Sequence, residues 1–258
     1  MAKTFYEAGT PEEALRIYFQ HDADLYGGVK NEIITRKLLS RIDSWKSLKV
    51  LEIGAGGGIW TNFFIRRRAN VTCVDICEQI LKGNAGLHRE AKFILTDATT
   101  LRLNEKFDLI FVKDVIEHIK NDVKFLQNMN RHLKDRGLIV MTTQNSFSLN
   151  YVVEGFWNFV RGDRKWCGWD PTHLRFYNSK SLKKKLEIAG FVAERWFGCY
   201  YFPYKLITGL FWRVLGREYK ELRLRVWHLI EILNLYDKWP FNIMGWSIGV
   251  VARKVRNL

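Results

Sequence analysis

A glycine-rich turn that follows a short apolar run is the feature of this sequence that most limits its fold. The apolar run is residues 48–53, and the turn after it reads Gly54-Ala55-Gly56-Gly57-Gly58. The run predicts a buried parallel strand in which Glu52 is the one acidic residue. Glycines let the backbone turn sharply and approach a ligand, and a helix that begins there points its N-terminal amides at the same place. The stretch therefore predicts a strand, a ligand-binding loop and a helix.

The spacing of these glycines disfavours a nicotinamide dinucleotide as the ligand. The dinucleotide pattern G-x-G-x-x-G requires a glycine at position 59, where this chain has Ile59. Asp75 ends the next apolar run about 20 residues after the turn, where a carboxylate accepts hydrogen bonds from ribose hydroxyls. A ribose-containing ligand is one interpretation. A plain turn, with Asp75 as a helix N-cap, is the alternative.

Composition favours anionic partners and gives no reason to expect a metal. The chain of 258 residues has a formal net charge of +14, which suits nucleic acid, phosphorylated substrates or an anionic membrane surface. Its four cysteines lack the spacing of a zinc site, so we expect no metal, and free thiols suit a reducing cytosol. The first residues lack the apolar segment of a secretory signal, and no apolar run reaches the roughly 18 residues of a membrane span. We expect a cytoplasmic protein, with membrane association left open.

From residue 48 onward, strand-like and helix-like patterns alternate. Predicted strands are residues 49–53, 70–75, 91–95, 107–112, 137–143, 191–199 and 245–254, and predicted helices are residues 58–68, 77–83, 121–133 and 178–189. This alternation predicts a doubly wound α/β fold, in which helices cover both faces of a mostly parallel sheet. Gly54, Asp75, Asp97 and Asp114 all fall at C-terminal strand ends, where such sheets bind ligands. One shared site is expected there.

Four motifs occur in order between residues 51 and 110. They read Leu51-Glu52-Ile53-Gly54-Ala55-Gly56-Gly57-Gly58, Val74-Asp75, Thr96-Asp97-Ala98 and Phe107-Asp108-Leu109-Ile110. This set resembles the class I S-adenosylmethionine-dependent methyltransferase family, and most of all its small-molecule branch, which includes ubiquinone-type O-methyltransferases. The resemblance implies a Rossmann-like fold of seven strands, with the last strand antiparallel and inserted beside its predecessor. It also implies S-adenosyl-L-methionine as the cofactor and methyl transfer as the activity, and it leaves the substrate open.

The resemblance further implies a set of cofactor-binding residues. Glu52 would contact the amino-acid end of the cofactor directly or through water, Asp75 would bind the ribose, and Ile76 would pack on the adenine. Asp97 and Ala98 would meet the adenine amino group, with a simple turn as the alternative for Asp97. The remaining expected contacts are Gly54, Ala55, Gly56, Gly58, Lys113 and Asp114.

Two histidines are candidates for the acceptor side of this site. His118 ends the segment 113–118, which in the family faces both cofactor and substrate, and His173 lies in a segment that resembles the family's region before a later helix. The sulfonium methyl group is already electrophilic, so only an acidic acceptor such as a hydroxyl needs a base. Either histidine is a candidate for that base. The structural alternative is that both histidines only hold their loops in place.

Tryptophan and basic residues concentrate in the second half of the chain, where eight of the ten tryptophans follow residue 150. We interpret residues 156–166 as a lid over an apolar substrate, a nucleic-acid stacking surface or a membrane-interface loop. Residues 203–240 are predicted to form a helical insertion before the last strand, which suits an anionic bilayer, a dimer face or a capping helical pair. Residues 1–45 are predicted to form an N-terminal helical cap, and residues 46–202 with 241–258 the core.

The sequence leads to three functional hypotheses. The first is methyl transfer to a small, apolar or lipid-like acceptor that is reached at a membrane surface. The second is methylation of RNA or another nucleic acid, which the charge supports, although no Asn/Asp-Pro-Pro-Tyr tetrapeptide follows the fourth strand. The third is a protein that binds S-adenosylmethionine without catalysis. The sequence does not predict the oligomeric state.

Overall fold

A computed structural model of the chain describes residues 5–24, 35–40, 42–163, 166, 170, 172–199 and 235–258. Most of the predicted helical insertion, residues 203–240, lies outside these ranges. Residues 25–34 of the predicted N-terminal cap lie outside them as well.

The sheet has seven strands, as the resemblance implies. They are β1 (Lys49–Ile53), β2 (Asn70–Asp75), β3 (Lys92–Leu95), β4 (Phe107–Lys113), β5 (Leu133–Gln144), β6 (Phe191–Cys199) and β7 (Ser247–Lys254). Their order across the sheet is β3-β2-β1-β4-β5-β7-β6, and β7 runs antiparallel to both of its neighbours. The strand order reverses between β1 and β4, so a crevice opens at the C-terminal ends of these two strands. The predicted doubly wound α/β fold is confirmed.

Eight helical segments accompany the sheet within the ranges that the structure describes. They are α1 (Pro11–Asp24), α2 (residues 35–39), α3 (Ile59–Ile65), α4 (Glu78–Leu87), α5 (Asp122–His132), α6 (Leu149–Val160), α7 (Ser179–Ile188) and α8 (Phe241–Met244). Short 3₁₀ turns occur at Phe5–Glu7, Ile116–His118 and Leu235–Asp237. No helix in the described ranges is long and apolar enough to cross a bilayer.

The central strands are buried on both faces, and this explains their continuous apolar sequence. Leu51 and Ile110, which are register partners in β1 and β4, belong to one hydrophobic cluster, together with Phe125 of α5. Val50 and Leu109, the preceding pair, belong to a second cluster on the opposite face. Because side chains alternate along a strand, two successive apolar residues fill two different cores.

The structure moves two predicted boundaries by four residues each and adds helix α6. α4 continues to Leu87 rather than ending at 83, and β5 begins at Leu133 rather than at 137. Helix α6 was not predicted, because its aromatic residues were interpreted as a lid or interface loop. A local signal for it exists, since Ser148 is a good N-cap residue and its hydroxyl accepts the N–H of Tyr151 at 3.1 Å.

Helix α1 packs beside the glycine-rich turn and close to α4. A methyl group added at Gly83 of α4 would approach Cδ1 of Leu15 to 2.7 Å, and one added at Gly56 would approach the Tyr18 hydroxyl to 2.5 Å. The first helix therefore covers part of the turn, which is the place that the predicted N-terminal cap would occupy.

Candidate functional site

The glycine-rich turn, residues 54–58, connects β1 to α3 at the crevice. Gly54, Gly56 and Gly58 have φ angles of 77°, 50° and 76°, a region that residues with a Cβ rarely adopt. Gly58 is the N-cap residue of α3, and a Cβ there would collide with the Asn84 side-chain oxygen. The backbone must therefore stay bare at these positions, because neighbouring side chains pack directly against it.

Asp75 lies at the end of β2, beside the same turn. Its Oδ1 accepts the backbone N–H of Cys77 at 2.9 Å, and the backbone amides of Gly56 and Ala55 are near enough to its carboxylate to stabilise the charged form. Burial raises the pKa of Asp75 above its ordinary value, although these backbone amides partly offset the effect. The residue at the N-cap of α4 is Cys77, not Asp75. Asp75 thus lies where β2 meets the turn, and its contact with a ribose remains a prediction.

Glu52 lies beneath the turn and not in the crevice. It is 1% exposed, and its Oε2 accepts the Thr61 hydroxyl at 2.7 Å. The Cys73 thiol is 3.4 Å from the same oxygen. Burial is the main reason that the pKa of Glu52 rises to about 7. In this conformation the carboxylate contacts α3 through Thr61 and β2 through Cys73, and its contact with a cofactor remains a prediction.

A cleft of about 670 Å³ opens beyond the ends of β2, β3 and β4, and it is lined by residues that follow these strands. Ile76, Asp97 and His118 line it, and Ile76 is 65% exposed there. Asp97 also forms a local turn, because its Oδ1 accepts the N–H of Thr99 at 2.7 Å, while Ala98 beside it is buried. The cleft unites an expected adenine contact with an expected acceptor-side histidine.

Lys113 and Asp114 form an ion pair at the end of β4. Their Nζ and Oδ2 atoms are 3.0 Å apart, and the Thr142 hydroxyl donates to Asp114 Oδ1 at 2.9 Å. Burial alone would raise the pKa of Asp114, but Lys113 and Thr142 lower it below its ordinary value. Asp114 has a φ of 51°, which turns the chain out of β4 toward the 3₁₀ turn that carries His118.

His118 and His173 come together with Glu117 at the mouth of the crevice. The two imidazole centroids are 4.7 Å apart, and the rings meet at 63°. The backbone N–H of Leu174 donates to the Glu117 carbonyl at 2.9 Å, which joins the two loops. Glu117 is fully buried, and its Oε2 accepts the Thr143 hydroxyl at 2.9 Å. Burial first, and the charge of Asp114 second, raise the pKa of Glu117 to about 8.

Thr172 and Asp170 together favour one tautomer of the neutral His118 ring. Although burial acts in the opposite direction, Thr172 hydrogen bonds and the nearby histidines lower the pKa of Asp170, so its carboxylate is an acceptor. The Thr172 hydroxyl donates to Asp170 at 2.6 Å and therefore has only lone pairs to offer to Nδ1 of His118, 3.0 Å away. Nδ1 of His118 thus carries the proton, and its Nε2 keeps a lone pair. Asp170 also lies 3.8 Å from Nε2 of His173.

A wall of aromatic rings extends from His173 to helix α6. Phe176 contacts the His173 ring with centroids 5.9 Å apart, and Tyr151 of α6 contacts Phe176 at 4.7 Å. Trp166 and Trp246 lie 6.3 Å and 5.5 Å from the same Phe176 ring. Trp166 thus packs inward, whereas α6 turns another face to solvent.

Several residues of this region were missed from sequence. Burial first, and then the charge of Asp75, raise the pKa of Tyr6 to about 12, so its phenol end is enclosed although 52% of the residue surface is exposed. Tyr18 was also missed, and its hydroxyl group packs against Gly56. Neither tyrosine belongs to a motif, and only the docking of the N-terminal segment brings them here. Glu117 did have a signal, because it directly precedes His118 in the segment after β4.

Comparison with known proteins agrees with this geometry. The family model described as "Methyltransferase domain" matches residues 29–195, more than half of the chain. A ubiquinone biosynthesis O-methyltransferase of Rickettsia canadensis (strain McKiel) is 24% identical over 159 residues, which are 60% of this chain and 65% of that protein. The chain therefore spans slightly less than two thirds of this relative, and 63% of a second one from Rickettsia felis.

Solved structures show the same fold at low identity. A SAM-dependent methyltransferase from Archaeoglobus fulgidus has a TM-score of 0.58 and 20% identity, covering 92% of this chain and 99% of that one. The N-methyltransferase NodS from Bradyrhizobium japonicum WM9, in complex with S-adenosyl-L-homocysteine, has a TM-score of 0.53 and 13% identity, covering 88% and 86%. The chain belongs to the class I S-adenosylmethionine-dependent methyltransferase family. The family and its methyl donor were predicted correctly from the turn and the motifs after it.

Proposed function

We propose that this protein transfers the methyl group of S-adenosylmethionine to an oxygen atom of a small, apolar or lipid-like acceptor. The observation that carries the proposal is the shared cleft, in which Ile76 and Asp97 on the cofactor side lie with His118 on the acceptor side. The names of the Rickettsia relatives, which are O-methyltransferases of ubiquinone biosynthesis, support the same acceptor class.

The chemistry favours an oxygen acceptor over an amine. In the reaction the acceptor oxygen forms a bond to the methyl carbon, the carbon–sulfur bond breaks, and the sulfonium becomes a thioether. The hydroxyl proton passes to a base, for which His118 and His173 are the candidates. A neutral amine is nucleophilic already, whereas a hydroxyl must lose its proton. Polar groups such as Glu117, His118 and His173 beside the acceptor position suit a hydroxyl. The chain's own contribution is to bind both reactants, to exclude water and to align them.

Helix α6 supports access from a membrane surface. Leu149, Val152, Phe156 and Phe159 repeat at helical spacing, and they are 49%, 60%, 66% and 57% exposed. At the end of this helix the Arg161 guanidinium lies 4.8 Å from the Trp157 ring centroid. An apolar helix face with aromatic and basic residues at its edge, on a chain of net charge +14, suits an anionic bilayer. We propose that the protein reaches its acceptor there, as a peripheral membrane protein.

The test is a methyl-transfer assay with radiolabelled S-adenosylmethionine and the purified chain. Phenols with an apolar tail, the matching amines, and RNA are offered in parallel, with and without anionic vesicles. We expect label in the tailed phenol and none in the amine, with faster transfer on vesicles. Label in RNA alone would replace the proposal with the nucleic-acid hypothesis, and cofactor binding without label in any acceptor would favour a non-catalytic protein.

A further inference from the structure

We propose that Asp122 is a positioning residue for the candidate base His173. Through Arg175 it holds the loop of residues 172–177 against the segment that carries His118. This role is indicated by a network of hydrogen bonds around the Asp122 carboxylate, which lies in the first turn of α5. It rests on the proposed function, in which both histidines face the acceptor, and it is exerted through Arg175 rather than by contact with the reacting atoms.

The Asp122 carboxylate is buried, and donors from two other parts of the chain reach it. Its side chain is 5% exposed. Oδ2 accepts the Arg175 guanidinium and the Tyr177 hydroxyl, each at 2.7 Å, and Oδ1 accepts Nζ of Lys185 in α7 at 3.0 Å. Burial alone would raise the pKa of Asp122, but these three donors lower it below its ordinary value, so the carboxylate is charged at neutral pH. A buried charge with several donors keeps them in one arrangement, since the loss of a donor leaves the charge poorly paired.

Arg175 joins the loop of residues 172–177 to the segment of residues 117–122. One of its terminal nitrogens donates to Asp122, and the other donates to the backbone carbonyl of Lys120 at 2.8 Å. The planar guanidinium thus fixes the direction of the side chain as well as its distance. The preceding residue, Leu174, donates its backbone N–H to the same segment. These contacts directly follow His173, so they hold the backbone on the C-terminal side of this residue.

Helix capping does not account for the Asp122 network. α5 is capped by Asn121, whose side chain accepts the backbone N–H of Lys124 at 3.0 Å. α7 has its own capping box, which Asn178 forms with Ser181. The Asp122 side chain therefore serves the contact between the two segments and the packing of α7 on α5.

The carboxylate has one contact with the loop and one with α7, and this makes a matched pair of variants possible. Arg175→Met removes the contact with the loop, and Lys185→Met removes the contact with α7. The two side chains are both 30% exposed and bind the same carboxylate, so we expect similar losses of thermal stability. Only Arg175→Met should separate His173 from His118. Asp122→Asn should separate them too, and Arg175→Lys should keep part of the contact, because it retains the charge without the planar fork.

The contact between the two imidazole rings is measured by NMR on the full chain with labelled histidine and without an acceptor. The chain has six histidines, and the ring signals are assigned with His118→Gln and His173→Gln. The ring centroids are 4.7 Å apart, so we expect a nuclear Overhauser contact between the rings in the wild type. We expect this contact to be lost in Arg175→Met and in Asp122→Asn, weakened in Arg175→Lys and unchanged in Lys185→Met.

Circular dichroism checks that each variant is folded before its ring contact is compared. A contact that survives in folded Arg175→Met, or that is lost equally in Lys185→Met, would make Asp122 a purely structural residue and overturn the proposal. Absence of the contact in the wild type would overturn it as well. If Asp122→Asn does not fold, the comparison of Arg175→Lys with Lys185→Met still decides, because both variants retain the carboxylate.

Turnover separates the role of Asp122 from the proposed function. With a tailed phenol as acceptor, Arg175→Met should lower kcat by up to about 100-fold, because a misplaced base is poorly aligned, while the KM for S-adenosylmethionine stays the same. Lys185→Met should keep the wild-type kcat. If the ring contact responds as expected and the wild type methylates no phenol, the positioning role stands and the proposed function fails. If phenol is methylated and the ring contact ignores Arg175, the proposed function stands and the positioning role fails.

Discussion

The carboxylate of Asp75 lies near the backbone amide of Gly56, which stabilises its charged form, so the end of β2 meets the glycine-rich turn that follows β1. The same carboxylate accepts the N–H of Cys77 at 2.9 Å. Asp75 thus shapes the turn and also offers the charged acceptor that a ribose would use. These two roles are separable by substitution.

Two replacements of Asp75 should weaken cofactor binding to different extents. Asp75→Ala removes the charged acceptor and the anchor of the turn, and we expect a loss of about 2–3 kcal/mol in S-adenosylmethionine affinity. Asp75→Asn keeps a neutral acceptor for the backbone and should lose less affinity for S-adenosylmethionine. Calorimetric titration measures both. Wild-type affinity in Asp75→Ala would show that the residue only holds the backbone.

Glu52 should make stability fall as the pH rises from about 4.5 to about 7. Its folded pKa is raised from 4.5 to about 7, mainly by burial, so the folded protein binds its proton more tightly than the unfolded chain. The stabilisation is therefore complete below pH 4.5, is lost as pH rises through 7 and amounts to about 3 kcal/mol at most.

Glu52→Gln isolates this effect from other titrating groups. The variant keeps the size of the side chain and an acceptor for Thr61 but has no proton to lose. The free energy of unfolding of wild type minus variant, from urea titrations at pH 5 and pH 8, should be lower at pH 8. A difference that does not change with pH would mean that the carboxylate is solvated in the folded state.

Gly56→Ala should destabilise the fold by about 1–3 kcal/mol, because the residue has a positive φ and its new methyl group meets Tyr18. Tyr18→Ala removes the steric part, so the double variant should lose less than the sum of the two single variants. Gly86→Ala is the control, since a Cβ at this helical position meets nothing within 4 Å. The stability of the wild type and of these four variants is measured by thermal unfolding. Strict additivity would place α1 away from the turn in solution.

The exposed face of α6 should bind anionic vesicles. Phe156→Ser should lower vesicle affinity at least about tenfold, since a buried phenylalanine is worth roughly 1.5–3 kcal/mol. Val255→Ser is the matched control, because Val255 is an exposed apolar residue of the C-terminal tail. Co-sedimentation at low and high salt measures binding, which should weaken with salt because exposed charge is screened. Equal sedimentation of both variants would remove α6 from the membrane proposal.

The sequence by itself determined the sheet and the cofactor end of the site. Apolar runs such as 50–53 and 109–112 can only be strands buried on both faces, and Gly54, Gly56 and Gly58 mark backbone that must remain bare. These properties are local, because they follow from strand periodicity and from the φ angles that glycine alone adopts readily. Asp75 was found for the same reason, since it ends a recognisable strand.

Only the tertiary structure decided how the side chains are arranged at the acceptor end of the site. The contact of His118 with His173 depends on the hydrogen bond between Leu174 and Glu117, which joins loops far apart in the chain. The position of Tyr18 over Gly56 depends on the docking of α1, and the exposure of Phe156 depends on which face of α6 meets Phe176. Each of these is a long-range contact that no local pattern encodes. A strand or a turn, by contrast, is specified by residues a few positions apart, which is why the sequence predicted the cofactor side more completely.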